Sequence, residues 1–248
     1  MNVVYILCLR QLKRYFRARS RIIGSLGQPL LFLLAIGFGF GPTFQKAGGG
    51  NYIQFLAPGI ILMGILFTGV FSGIEIIWDR QFGFLKETLV APVSRFQIVM
   101  GRTLGGATVA IIQGFIIMAI CLAAGFHIEN LALFPIALLF MFLCAIMVTA
   151  LGTAIGSVLE DMQAFPLIMN FIVMPLFFFS GALFPVDGLP RALQIAIRLD
   201  PLTYAVDGLR GALGEVSRFG IGMDLLILGV LTVILLAIGS YLFSRIQL

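Results

Sequence analysis

Ionisable side chains are scarce. Lysine, arginine, aspartate and glutamate make up 11% of the 248 residues, against roughly a quarter in an average soluble domain. His127 is the only histidine, so a two-histidine metal site such as H-E-x-x-H is impossible. No G-x-x-x-x-G-K-[ST] phosphate loop occurs, because glycine and lysine are never adjacent in that order. The chain cannot hydrolyse ATP by that device, and it binds no cofactor of its own that the sequence reveals. G-x-S-x-G is absent as well. Cys8, Cys121 and Cys144 sit in or beside apolar segments without ligand spacing, which reads as small buried hydrophobes. One tryptophan and five tyrosines stand against 24 phenylalanines. Aromatic groups that pair an apolar face with a polar tip, as sugar sites favour, are therefore few.

What fills the chain is apolar: 60% of residues are hydrophobic. Six apolar segments, approximately 22–41, 55–77, 97–125, 131–159, 164–184 and 221–243, are each long enough to cross a membrane. Ser94 and Gln97 form an S-x-x-Q capping box at the start of the third. An all-α polytopic membrane protein with six transmembrane helices is the expected fold, with 22–248 as one membrane domain and no separate soluble domain. The net charge of +5 does not point to nucleic acid, because the charges lie between the apolar runs.

Residues 1–21 form a unit of their own. Arg10, Lys13, Arg14, Arg17 and Arg21 share one helical face, with Val4, Cys8, Leu12 and Tyr15 opposite them. That segregation predicts an amphipathic helix lying on an anionic leaflet. Counting Lys and Arg between spans, with the N-terminus inside, gives eleven inside and five outside. The positive-inside rule then puts both termini in the cytoplasm of a multi-pass protein of the cell membrane.

The stretch 184–220 breaks the pattern of spans. Pro185 and Pro190 interrupt it, and Asp200-Pro201 is an N-cap followed by proline at the first helical position. Two short helices are predicted, from about 190 to 199 and from 201 to 213. Each reaches only roughly 15–20 Å, short of the ~30 Å hydrocarbon core. They are expected to lie in the interface or to re-enter, with Thr203, Asp207 and Arg210 on one polar stripe. Asp207 and Arg210, three apart, are placed to pair at ~0.2–0.5 kcal/mol. Pro185, Asp187, Pro190, Asp200, Pro201, Asp207 and Arg210 are the candidate residues of an extracytoplasmic gate.

A second stretch, WDRQFGFLKETLVAPVSR from Trp78 to Arg95, connects the second and third segments. Its pattern predicts a helix over 82–90 with Phe82, Leu85 and Leu89 on one exposed face, ended by Pro92. Glu160-Asp161-Met162-Gln163 fits a tight polar turn and a partner contact equally well. Glu75, about one turn inside the second span, fits either an ion pair near the inner surface or a place on a translocation path.

A last-but-one span running into SGALFP, then a proline, then DPLTY and DGLR before a final span, resembles the membrane subunit of ABC-2 type exporters. The connection is similar too, with Asp79-Arg80, Gly83, Glu87, Leu89 and Pro92-Val93-Ser94 matching the family's series, although the family's Gly-Thr-Leu-Glu run is not kept after Gly83. The resemblance implies that 78–95 couples to a separate ATPase through Asp79, Arg80, Phe82, Gly83, Leu85, Glu87 and Leu89. It implies two copies of that ATPase, which would bind the ATP and Mg, and a second permease copy as a homodimer. The expected cargo is lipid-like, a hydrophobic drug or a glycoconjugate. Two other classes compete. An ion-coupled or passive carrier predicts inverted repeats and charges at mid-membrane, which the sequence lacks. A lipid-modifying enzyme predicts D-G-x-x-A-R with a downstream carboxylate pair, and neither Asp187-Gly188 nor Asp207-Gly208 has it.

Overall fold

The computed structural model describes residues 3–46, 51–90, 93–186, 188–214 and 217–246, and leaves out the side chains of Arg21 and Leu89. Every regular element among the described residues is helical: α1 (Val3–Arg17), α2 (Arg19–Phe32), α3 (Gly39–Lys46), α4 (Tyr52–Phe71), α5 (Ile74–Gln81), α6 (Phe84–Val90), α7 (Arg95–Ala123), α8 (Phe134–Val158), α9 (Ala164–Phe179), α10 (Arg191–Leu199), α11 (Pro201–Leu213) and α12 (Ile221–Ser244). A wider π-type turn, Leu33–Phe38, joins α2 to α3. Together they make one apolar helix over Ile22–Lys46, longer than the segment expected from the sequence.

Five described helices are long and apolar enough to cross a membrane: Ile22–Lys46, Tyr52–Gln81, Arg95–Ala123, Leu131–Val158 and Ile221–Ser244. The expected fifth segment, 164–184, is shorter than its composition suggested. Its helix, α9, has 16 residues and reaches ~24 Å. It stops because Ser180 turns its hydroxyl back to the Phe177 carbonyl and Gly181 takes φ +70°, a backbone state that suits glycine.

The core is built on α4, α7 and α8. Leu56–Leu66 of α4 is buried along its whole length, against Ala107, Ala110 and Ile117 of α7 and Phe140, Cys144 and Val148 of α8. The α2–α3 and α12 helices lie outside and bury little. The closest crossing is between the α4–α5 junction and α8. A Cβ on Gly152 would stand 2.3 Å from the Val70 carbonyl oxygen, and one on Gly73 would stand 2.0 Å from that of Gly152. Only glycine permits this approach, and the helix breaks there, at Ser72-Gly73, before resuming as α5.

The bundle has two distinct ends. At one, Arg80 of α5 donates to the Ser157 carbonyl at the close of α8. Arg95, opening α7, donates to the Ser244 and Ile246 carbonyls at the close of α12. At the other, Gln54 exchanges hydrogen bonds with the His127 backbone, and Glu129 N–H donates to Leu213. The N-terminal helix and the end of α12 thus share the first end, with α6. The second end carries α10 and α11.

Candidate functional site

The α1 end gathers charge. Asp79 of α5 is buried and accepts from two arginines: Arg102 of α7 at 2.5 Å and Arg10 of α1 at 3.1 Å. One turn earlier, Glu75 pairs with Arg14 of α1 at 3.6 Å, and the Arg14 guanidinium lies 5.4 Å from the Trp78 ring centre. Spacing of four residues on both helices sets the two pairs one above the other. Of the two roles open to Glu75, the structure supplies the ion pair.

These contacts tie α1, α5 and α7 into one body. The α1 helix packs directly on α7, where a Cβ on Gly101 or Gly105 would stand 2.9 Å from Leu7 or 2.8 Å from Gln11. Of its expected apolar face, Tyr15 is buried and donates to Gln113 at 2.5 Å, while Tyr5 and Phe16 stay exposed. The sequence identified Asp79 as a candidate contact and missed Arg102, which it had counted only as topological charge. A basic residue inside an apolar span was the available signal.

The connecting segment differs from expectation in one respect. Phe82 lies outside the helix and is 71% exposed, because Gly83 at φ +81° separates it from α6. Leu85 is fully buried, packed with Ile76, Ile98, Val99 and Phe243. Phe82 and Leu85 therefore do not share an exposed face. The exposed apolar side chains here are Phe82, Phe84 and Val90, with Glu87 also at the surface. Leu89 lies on α6 with its side chain outside the described residues, as is Pro92. Arg80 reaches the other connection, pairing with Glu160 at 3.7 Å. Between α1 and α6 runs a groove of about 720 Å³ lined by Leu9, Arg10, Lys13, Arg14, Arg17 and Phe84.

At the opposite end the two short helices form as their prolines and caps dictate. Pro190 precedes α10, and Asp200 caps α11 by accepting from Leu202 N–H at 2.8 Å, with Pro201 at the first helical position. Burial pushes the Asp200 carboxyl up to about 7. Asp187 lies outside the described residues.

The polar stripe of α11 does not stand in open water. Thr203 and Asp207 are buried, with Arg210 half-buried, and they face a pocket of about 460 Å³ that Phe55, Pro185 and Arg218 also line. Asp207 accepts from Ser217 Oγ and from the backbone N–H groups of Arg218 and Phe219. Arg210 donates to the Phe55 and Gly181 carbonyls and lies 4.0 Å from the Phe55 ring centre. Each residue serves a longer-range junction than the local pair the sequence suggested. Asp207 holds the turn into α12, and Arg210 joins α11 to α4 and to the end of α9.

A further pocket of about 390 Å³ lies between α2 and α4. Ser25, Gln28 and Thr68 line it beside Phe67, Phe71 and Tyr15. It offers hydrogen bonds and aromatic faces within otherwise apolar helices.

The described residues form a polytopic helical protein with a charged cluster at one end and two short helices at the other. Residues 2–213 match the family model for the ABC-2 type transporter. The ycf38 transport permease of Cyanophora paradoxa is 31% identical over 263 residues, covering 98% of this chain and 88% of the relative. That of Pyropia yezoensis is 33% identical over 211 residues, covering 82% and 71%. Nodulation protein J of Rhizobium leguminosarum bv. trifolii is 29% identical over 195 residues, covering 78% and 74%. The chain belongs to the ABC-2 type transporter family, as a multi-pass membrane permease without an ATPase motif of its own; such permeases work with an ABC ATPase.

Proposed function

We propose that the chain is the membrane subunit of an exporter for an amphiphilic cargo, a lipid-like molecule, a hydrophobic drug or a glycoconjugate. Two copies form the path, and two copies of a separate ATPase, which bind ATP and Mg, drive it. Both termini lie in the cytoplasm, so the α1 end faces the ATPase. The coupling segment is 78–95, and 184–220 is the gate at the outer end.

The observation that carries this reading is the charged body formed by Arg10, Glu75, Asp79 and Arg102 directly behind the exposed Phe82 and Phe84. A push delivered to these phenylalanines or to the α1 groove reaches α5 through Arg10 and Arg14, whose partners Asp79 and Glu75 are buried. The next flexible point on that path is the break at Ser72-Gly73. Movement of α5 there would tilt it against α8 and alter the pocket between α2 and α4. The mixed lining of that pocket supports an amphiphile over a bare glycan. At the outer end, Arg210 links α11 to α4, so the gate helix follows the same span.

Replacing Phe82 and Phe84 together with serine tests the docking surface. Neither is buried, so the permease is expected to insert and fold as before while co-purification of the ATPase drops. An unchanged complex with unchanged ATP turnover in membranes would sink it.

A further inference from the structure

At the α11 end three buried carboxyls, Asp200, Asp207 and Asp224, have no ion-pair partner among the described residues, and Asp224 is the one within the last span. Asp224, in the first turn of α12, is fully buried and its Oδ1 has no hydrogen-bond partner. Its Oδ2 lies 3.3 Å from Ser217 Oγ, and the same hydroxyl lies 3.1 Å from Asp207 Oδ2. A hydroxyl has one proton to give. The Ser217 oxygen already accepts from Gly220 N–H at 2.8 Å, so its proton serves only one of the two carboxyls. Asp207 is well supplied without it, since Arg218 N–H and Phe219 N–H donate to Oδ2 at 2.8 and 2.9 Å. Asp224 is not.

The Ser217 hydroxyl thus bridges the two carboxyls, 3.1 Å from one and 3.3 Å from the other. A contact between two carboxyl groups is a hydrogen bond only when one proton is present, and two anions cannot share a buried site without it.

The surrounding charges do not change this. On α11, Arg210 is engaged with the Phe55 and Gly181 carbonyls, and Asp200 is the cap at the far end. In the connection, the Arg218 guanidinium lies against the Phe219 ring, and Glu129 before α8 lines the adjoining pocket. The α8 helix carries no Asp, Glu, Lys, Arg or His, and the only such residues of α7, Arg95 and Arg102, sit at the opposite end. Among the described residues no cation forms an ion pair with Asp224.

We infer that Asp207 and Asp224 share a single proton, forming a proton-binding site that latches the turn at 217–220 across α11 and α12. Asp207 lines the outer pocket, which gives the proton a route to water. With the proton present, one carboxyl donates to the other and Ser217 donates its single proton to one of them. When it leaves, two anions face one hydroxyl and the turn loosens. The latch is therefore complete at lower pH and is lost as pH rises through the titration of the pair. The shared proton does not depend on what the chain exports; its effect on transport rests on the gate reading above.

The test is pH-difference infrared spectroscopy on the full-length permease in phosphatidylcholine nanodiscs. The C=O stretch of protonated carboxylic acids should be present at neutral pH, and one component of it should be lost in Asp224→Asn but kept in Asp200→Asn, which removes the other buried acid at this end. Wild-type Tm should fall as pH is raised, and Asp224→Asn, whose amide donates permanently to Asp207, should show a shallower profile, the slope that remains coming from Asp200. If that variant does not fold, Ser217→Ala keeps both carboxyls and must keep the band. No acid band in the wild type, or identical pH profiles for the wild type and Asp224→Asn, overturns the site. So does a Tm that responds to Na+ or Ca2+ at fixed pH. A wild type that keeps the band but transports at a pH-independent rate overturns the gate reading and leaves the proton in place.

Discussion

Replacing Asp79 with alanine should be among the costliest single changes at the α1 end. Asp79 and Arg102 are each 5% exposed at the side chain and meet at 2.5 Å, so deleting the carboxylate strands a buried guanidinium. Breaking a buried pair from one side costs ~3–5 kcal/mol. Arg10, 41% exposed and 3.1 Å from the same carboxylate, can turn to water when its partner goes, and Arg10→Ala should cost about 1 kcal/mol or less. The double change Asp79→Leu with Arg102→Met removes both charges and should recover most of the loss, because no buried ion remains. Unfolding of the purified permease by sodium dodecyl sulfate, run as a double-mutant cycle, measures all three. An Asp79→Ala cost no larger than that of Arg10→Ala would refute the reasoning. So would a double variant as unstable as the sum of its parts.

Leu85→Ser should destabilise the permease by ~2–5 kcal/mol, since Leu85 is fully buried, and a thermal melt separates this from the neutral effect expected for Phe82→Ser. Gly152→Ala should cost ~1–3 kcal/mol by overpacking against the Val70 carbonyl, whereas Gly24→Ala, where a Cβ meets nothing within 4 Å, should be silent in the same melt. Single cysteines at Arg191 and Phe84, both exposed, report topology in intact cells. Labelling from outside is expected at the first and not at the second, and the reverse would invert the assigned orientation. Asp207→Ala should loosen the turn into α12 and impair transport more than insertion, read as cargo efflux against membrane abundance.

The spans and their caps were legible because they rest on local rules. Apolar length marks a crossing segment, Ser94 accepts from Gln97 N–H at 3.2 Å as its spacing implies, and Asp200-Pro201 opens α11. Each is decided within a few residues of chain. The family resemblance, carried by the order of SGALFP, DPLTY and DGLR, agreed with the family match for the same reason: it is a property of letters in sequence.

Partners across the bundle were not legible. Asp79 could be seen as charged, but its bond to Arg102 joins residues 23 apart, and the one to Arg10 joins residues 69 apart. Leu85 and Phe82 share a helical period, yet Gly83 takes a left-handed turn between them and sends one into the core and the other to the surface. Asp207 and Arg210 lie within reach on a helix, and packing gave each a better partner elsewhere. In all three cases the deciding term is burial. A charged or polar side chain removed from water must find hydrogen bonds wherever neighbouring helices supply them. Sequence alone marked the apolar segments and their local caps; where the first and fifth helices stop, which face of each segment became interior, and so which charges had to meet, was decided only when the helices packed.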